Sequence, residues 1–312
     1  MVSVAVVGVG GWGKNHARAL SELNALKAIC DIDTERAKTF ASKYGVNSYS
    51  SVDELLKNEK LDGIVVSTPT STHFTIAKQI MEKGVNIFVE KPMASSSLEG
   101  EQMATIARRH NVLLTSGYIE RFNPAVNDVK SLIADKKYGD LLMLEFHREN
   151  RIPLNVQDIG IIYDTSVHDI DTAMYLFNDK PNIVFARAGS ISGAHEDFAA
   201  IVLGFKNQKI AFIASNWITP KRVRQFITVC TDAIITGDFI TQEIRIDDGR
   251  NTIIPRREQK EPLTLELKNF LDSIDGNAKP LVSADDALNT TRVAEAALLS
   301  SKTGSPIYLD LK

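Results

Sequence analysis

At 312 residues, 44% of them hydrophobic and 24% charged, the chain is long enough for two domains and too apolar for a disordered class. Its formal net charge of −3 offers no basic surface for nucleic acid, and no apolar run reaches membrane-spanning length, so neither partner is expected. Its two cysteines, Cys30 and Cys230, sit in apolar runs and read as buried free thiols; with no basic leader ahead of the first strand, the expected location is the cytoplasm.

Val2, Val4, Ala5, Val6 and Val7 form a short apolar run, the pattern of a strand buried on both faces. Gly8, Gly10 and Gly13 follow as G-x-G-x-x-G, with Gly11 and Trp12 inside the loop and a helical pattern from Lys14. Gly8 permits the tight turn, Gly10 lets the backbone approach a pyrophosphate, and Gly13 lets the helix pack close to the strand. Asp31, 18 positions beyond Gly13, ends a second apolar stretch, where a carboxylate meets the adenosine ribose hydroxyls. A strand, this loop, a helix and a distal acid together predict a dinucleotide site. A carboxylate there predicts NAD in preference to NADP, with Arg36 near enough to complicate the choice.

The alternation continues. Helices are expected over 33–44, from Ser51, over 71–83 and over 95–110, with strands over 63–67, 85–89 and 112–116. That rhythm predicts a doubly wound parallel sheet, because parallel neighbours need helical crossovers. Past Tyr118 the pattern changes. After a helix over 124–134, strands dominate at 141–148, 183–190, 198–205, 209–218 and 224–230, with hairpin connections at 204–209 and 218–221. A helix over 166–177 interrupts them, and helices over 263–275 and 283–302 close the chain, the last with a Ser283–Asp286 capping box. The fold class is therefore α/β: an N-terminal Rossmann domain over 1–120, then an α+β domain over 121–312 with a mainly antiparallel open sheet.

Four stretches occur in one order: GVGGWGKNH at 8–16, STPTSTH at 67–73, EKP at 90–92 and DTSVHDID at 164–171. With these, the chain resembles the glucose–fructose oxidoreductase / inositol dehydrogenase (Gfo/Idh/MocA) family across essentially its whole length. The resemblance implies NAD, hydride transfer to or from a sugar or cyclic-polyol hydroxyl, and oligomerisation through the open sheet. It also implies that Thr68, Pro69 and Thr70 run along the dinucleotide with His73 behind them, and that Glu90 borders the nicotinamide side. Trp12 is expected to lend its backbone N–H and cover part of the cofactor, with plain packing as the alternative. One departure stands out: where the family often carries a glycine pair, Gly160 is followed here by Ile161 and Ile162.

Oxidising a secondary alcohol requires a base for the hydroxyl proton while hydride leaves the same carbon. Asp164 and His168 are four apart and would share a helix face, so the carboxylate can orient the imidazole. Lys91 lies just past a strand end, where ligands of open α/β sheets sit, and its ammonium suits a developing alkoxide. Lys91, Asp164 and His168 are thus the expected catalytic and substrate-contacting residues, with the proton acceptor left open between Lys91 and His168. The same residues also occur as solvated acid–histidine pairs and turn lysines elsewhere. His16, one turn into the first helix, is a possible site residue; His147 and His195 read as structural or solvated. No cluster has zinc spacing, so no metal is expected.

The segments at 118–126 and 147–171 resemble the subgroup that oxidises UDP-N-acetylglucosamine, or the related uronate, at the sugar C3. In that reading Arg121, Arg148 and Arg151 offer guanidinium groups to a diphosphate or carboxylate, unless they simply pair with Glu120 and Glu149. The alternatives are a free sugar or inositol dehydrogenase and, in another class, a non-catalytic NAD(H)-binding regulator. The expected partners are a small sugar substrate and further copies of the chain, in a homodimer or homotetramer.

Overall fold

The computed structural model describes residues 2–151, 159–191, 193 and 195–311. They form two compact units, Met1–Tyr118 with Leu263–Leu288, and Ile119–Pro262 with Asn289–Lys312.

The first unit holds β1 (Val4–Val7), α1 (Gly13–Glu22), β2 (Leu26–Cys30), α2 (Thr34–Tyr44), β3 (Asn47–Tyr49), α3 (Val52–Asn58), β4 (Gly63–Val66), α4 (His73–Met81), β5 (Asn86–Val89), α5 (Ser97–His110) and β6 (Leu114–Ser116). The six strands are parallel in the order β3-β2-β1-β4-β5-β6. Every residue of β1 and β4 is buried, which is why both read as unbroken apolar runs. The strand order reverses between β1 and β4, so their carboxyl ends define the switch point where such sheets bind ligands. Side-chain caps start three of these helices: Asp33 accepts from Arg36 N, Ser51 from Glu54 N and Ser96 from Glu99 N, the last setting the start of α5 two residues beyond the expected 95. The edge strand β3 is an addition, since its sequence Asn-Ser-Tyr carries no apolar pattern.

The second unit contains α6 (Pro124–Ala134), β7 (Leu141–Glu149), a π-helical turn (Ile162–Ser166) running into α7 (Val167–Phe177), β8 (Ile183–Gly189), β9 (Phe198–Gly204), β10 (Ile210–Asn216), β11 (Val223–Cys230), β12 (Ile234–Asp238), β13 (Ile244–Asp247) and β14 (Thr252–Ile253). After α8 (Pro262–Ile274) and α9 (Ala284–Thr303), β15 (Ile307–Tyr308) completes a nine-stranded sheet ordered β14-β13-β12-β11-β7-β10-β9-β8-β15. All pairs are antiparallel except β7 with β10. The expected hairpin at 218–221 is therefore a correction: β7 lies between β10 and β11 and pairs with both. Ser300 and Ser301 of α9 accept from the N–H groups of Ala186 and Ala188, satisfying the part of β8 that β15 is too short to reach.

A second correction concerns the domain over 121–312. Residues 263–288 return to the first unit, where Phe270 stacks edge-on at 5.8 Å from Phe88 of β5 and Thr115 Oγ1 donates to Val282 O at 2.7 Å. Amphipathic spacing says that a helix buries a face, not which sheet receives it. Among the described residues no helix is long and apolar enough to cross a membrane.

Candidate active site

The glycine loop is built as its chemistry demands. Gly8 has φ +84°, and a Cβ there would come within 2.6 Å of Ser67 O. At Gly13 a Cβ would stand 1.8 Å from Gly8 O, backbone against backbone, while at Gly10 it would meet nothing within 4 Å. Gly10 is thus bare toward open space, the condition for a pyrophosphate to approach. No side chain caps α1 and no acid lies in its first turn, leaving its leading N–H groups for an anion. Trp12 is half exposed, with its ring edge-on to His16. These residues fit a dinucleotide.

Asp31 is less open than expected. Its Oδ2 accepts from Val9 N at 2.8 Å and Arg36 Nε at 3.0 Å, and its Oδ1 from Asp33 N at 2.9 Å and Arg36 Nη2 at 2.7 Å. Burial raises the carboxyl, but the Arg36 donors and the two backbone N–H groups outweigh it and hold Asp31 below the ordinary range. Arg36 therefore covers the acid that should meet the ribose.

At the ends of β4 and β5, Thr68 and Pro69 reach the surface while Thr70 is buried. The His73 ring is buried, with Nε2 2.9 Å from Thr68 O and Nδ1 3.0 Å from Pro92 O, so it braces the two segments from behind. Burial pushes this imidazole below the usual histidine range, although both carbonyls pull the other way. Glu90 is buried too: its Oε1 lies 2.6 Å from His16 Nε2 and its Oε2 accepts from Lys91 N at 3.0 Å. Gly117 is bare because a Cβ there would press on that carboxylate at 2.8 Å. Lys91 itself is half-buried. His16 and Glu90 thus form an internal pair beneath the Lys91 backbone.

In the second unit, Asp164 stands on the π-helical turn and His168 on the first turn of α7. Nearly everything around them is buried, whereas Asp164, Thr165 and His168 form a half-exposed stripe. Gly160 has a steric reason: a Cβ there would lie 2.2 Å from the Glu196 carboxyl, which accepts from Ile162 N at 3.1 Å and caps the turn, while Ile161 and Ile162 are buried. Trp217 Nε1 donates to Thr165 Oγ1 at 3.2 Å, and Thr165 Oγ1 donates to Asp164 Oδ2 at 3.1 Å. The adjacent Ser166 and Ser215 hydroxyls are 3.0 Å apart. Glu196 and Trp217 carry no signal in the local sequence, because their bonds to Ile162 and Thr165 join segments about 30 to 50 residues apart, and Thr165 has a visible part only once Trp217 is placed against it.

Two of the expected substrate arginines are instead paired inside the second unit. Arg121, 5% exposed, grips Asp171 through Nε at 2.9 Å and Nη2 at 2.7 Å and lies over the Tyr175 ring. Arg148, 2% exposed, bonds Asp169 through Nε at 2.7 Å and Glu120 through Nη2 at 2.9 Å, with Phe239 against its face. Both are committed to interior carboxylates, the arrangement that makes removal of one partner costly. Arg151 is exposed, and residues 152–158 of the same segment lie outside the described residues. Among the described residues no group of three or more His, Cys, Asp or Glu side chains is placed to hold a metal ion.

Comparison with known proteins agrees with the two-part architecture. The model of the oxidoreductase family with an NAD-binding Rossmann fold matches residues 2–118, and that of the GFO/IDH/MocA C-terminal domain matches 126–236. The chain is 28% identical to UDP-N-acetylglucosamine 3-dehydrogenase of Acidithiobacillus ferrooxidans, over 94% of each protein. It is 27% identical to scyllo-inositol 2-dehydrogenase (NAD(+)) of Bacillus subtilis, over 100% of this chain and 97% of that one. A solved structure of UDP-N-acetylglucosamine 3-dehydrogenase GnnA from A. ferrooxidans shares the fold at TM-score 0.89 and 24% identity, covering 97% of this chain and 99% of that one. Matched over most of its length in both parts, the chain belongs to the Gfo/Idh/MocA family of oxidoreductases and binds NAD in its Rossmann domain.

Proposed function

We propose that this protein is an NAD-dependent dehydrogenase that oxidises a secondary hydroxyl of a sugar, at C3 of UDP-N-acetylglucosamine or a related UDP-sugar. The observation that carries the catalytic part is the half-exposed stripe of Asp164, Thr165 and His168 on an otherwise buried helical segment. The stripe leaves a carboxylate and an imidazole open to a substrate, while Asp169 and Asp171 on the same segment are buried in ion pairs with Arg148 and Arg121. His168 Nδ1 is buried, so Nε2 takes the hydroxyl proton, and Asp164 stabilises the imidazolium that forms. The Lys91 ammonium stabilises the developing alkoxide. When bound, the nicotinamide accepts the hydride. Around it, Gly8 to Gly13 take the phosphates, Thr68 to Thr70 border the dinucleotide, and His73 and Glu90 hold those segments in place. A non-catalytic regulator would have no use for this proton-handling set.

The UDP-sugar part is supported by similarity to UDP-N-acetylglucosamine 3-dehydrogenase along nearly the full length. The comparable similarity to an inositol dehydrogenase favours a second reading, a free polyol substrate. The deciding experiment is NAD reduction on a panel of UDP-sugars, free sugars and inositols, repeated with NADP. A kcat/KM at least tenfold higher for a UDP-sugar is expected. The reverse order selects the polyol reading, and no reduction with any of them overturns both. The same reading includes a cytoplasmic location, in keeping with the buried free thiols of Cys30 and Cys230. It also includes a homodimer or homotetramer built on the outer face of the nine-stranded sheet, where Phe185, Phe198, Val202 and Ile210 are exposed.

A further inference from the structure

With Arg121 and Arg148 paired to interior carboxylates, a different arginine has charge to spare. On β11, Arg224 lies two and four residues before the buried Phe226 and Thr228 and therefore faces the same side of the sheet. Its register partner on β7 is Arg148, so two guanidinium stems stand directly opposite one another. Like charges in that position repel. Arg148 is relieved by Asp169 and Glu120, whereas no hydrogen bond or ion pair among the described residues engages the Arg224 guanidinium. An acceptor is nearby: Asp169 Oδ2 is buried and lacks a hydrogen-bond partner among the described residues, yet Arg224 does not take it. Arg222, two residues earlier on the chain and exposed, adds a third positive charge. Burial, with Arg148 and Arg222 alongside, brings the Arg224 guanidinium down to about 10, against the partial pull of Glu120 and Asp169. At neutral pH it is still a cation.

A partly buried cation beside two others is unfavourable unless something negative completes it. Asp169, which with Glu120 is one of two acids that pull on Arg224, directly follows His168 on the first turn of α7, and this ties the cluster to the helix that carries the proton acceptor. We propose that Arg224, with Arg222 as a second cation, binds an oxyanion of the sugar substrate, a phosphoryl or carboxylate group. A guanidinium forks onto two such oxygens at once, a geometry that neutral sugars do not use. The assignment rests on the sugar-dehydrogenase reading above and names the part of the substrate that would separate nucleotide sugars, sugar phosphates and uronates from inositols.

The test is binding, so that it survives failure of the turnover reading. NAD-loaded wild type, Arg224→Ala and Arg224→Lys are titrated calorimetrically with UDP, glucose 6-phosphate and glucuronate, each beside its neutral counterpart, uridine or glucose. Arg245→Ala, which removes one exposed charge from β13, is the control for general electrostatics. For at least one anion, Arg224→Ala should weaken binding tenfold or more, Arg224→Lys should restore part of it, and Arg245→Ala should leave it unchanged. The anion affected identifies the source of the oxyanion. If every anion and neutral counterpart weakens alike in Arg224→Ala, or no anion is bound more tightly by wild type than by the variant, the proposal is overturned. Absence of NAD reduction with any sugar, alongside a selective loss of anion binding, would instead reject the dehydrogenase reading and keep the site.

Discussion

At the residue scale the chemistry depends on where charge is held. A contact to a developing alkoxide acts mainly in the transition state, so Lys91→Ala should leave the NAD dissociation constant within about twofold and lower kcat by about 10²-fold. Calorimetry beside steady-state kinetics reads both, and unchanged turnover removes Lys91 from the mechanism. If His168 is the base, it must be neutral to act, and oxidation should rise with pH through its ionisation. The Asp164 charge favours the imidazolium, so Asp164→Asn should shift that acidic limb to lower pH and reduce the plateau. His168→Asn should abolish the limb; a limb that survives there belongs to Lys91. Cofactor choice turns on Arg36, which covers the Asp31 carboxylate. Arg36→Ala should free that acid, tighten NAD and weaken NADP, and a tighter NADP complex in the variant would contradict this. Because Asp31 is held below the ordinary carboxylate range, what its ionised form contributes to stability is present at neutral pH and is lost only as pH falls through that lowered value.

At the scale of elements, the glycine loop and its helix were legible because each glycine answers a local steric demand. Gly13→Ala would set a methyl 1.8 Å from Gly8 O, with backbone on both sides. Relief requires α1 to move off the sheet, so a loss of about 3 kcal/mol or more in unfolding free energy is expected, together with loss of NAD binding. Denaturant unfolding with NAD titration checks it, and a variant that melts and binds like wild type would show that the loop relaxes. The short elements were not legible. β3, β12, β13 and β14 run for two to five residues each, too short for a period to register. The π-helical turn escaped as well, since Asp164 and His168 are four apart whether the turn is α or π, and only the Glu196 cap against bare Gly160 distinguishes this segment.

At the scale of the whole molecule, the nine-stranded sheet leaves Phe185, Phe198, Val202 and Ile210 exposed on one face of neighbouring strands. A contiguous apolar face of this kind is covered most simply by the same face of a second copy. Light scattering at micromolar concentration should give a dimer or tetramer. Val202→Glu, which sets like charges against each other across a twofold axis, should shift it toward monomer without unfolding it. A wild-type monomer at that concentration would refute the arrangement.

The sequence by itself determined the class of fold, the dinucleotide loop, the caps of α2, α3 and α9 and the chemical identity of Lys91, Asp164 and His168. These follow from interactions within a few residues, where sterics and period leave few choices. Only the tertiary structure decided that residues 263–288 join the first unit, that β7 separates β10 from β11, and that Arg36 covers Asp31. It also decided which arginines are spent. Arg121, Arg148 and Arg224 look alike in the chain, and each is equally able to meet an anion. Asp171 takes the first, Asp169 and Glu120 take the second, and the third has neither, because pairing of charges across 20 to 50 residues is set by packing and leaves no mark on local sequence.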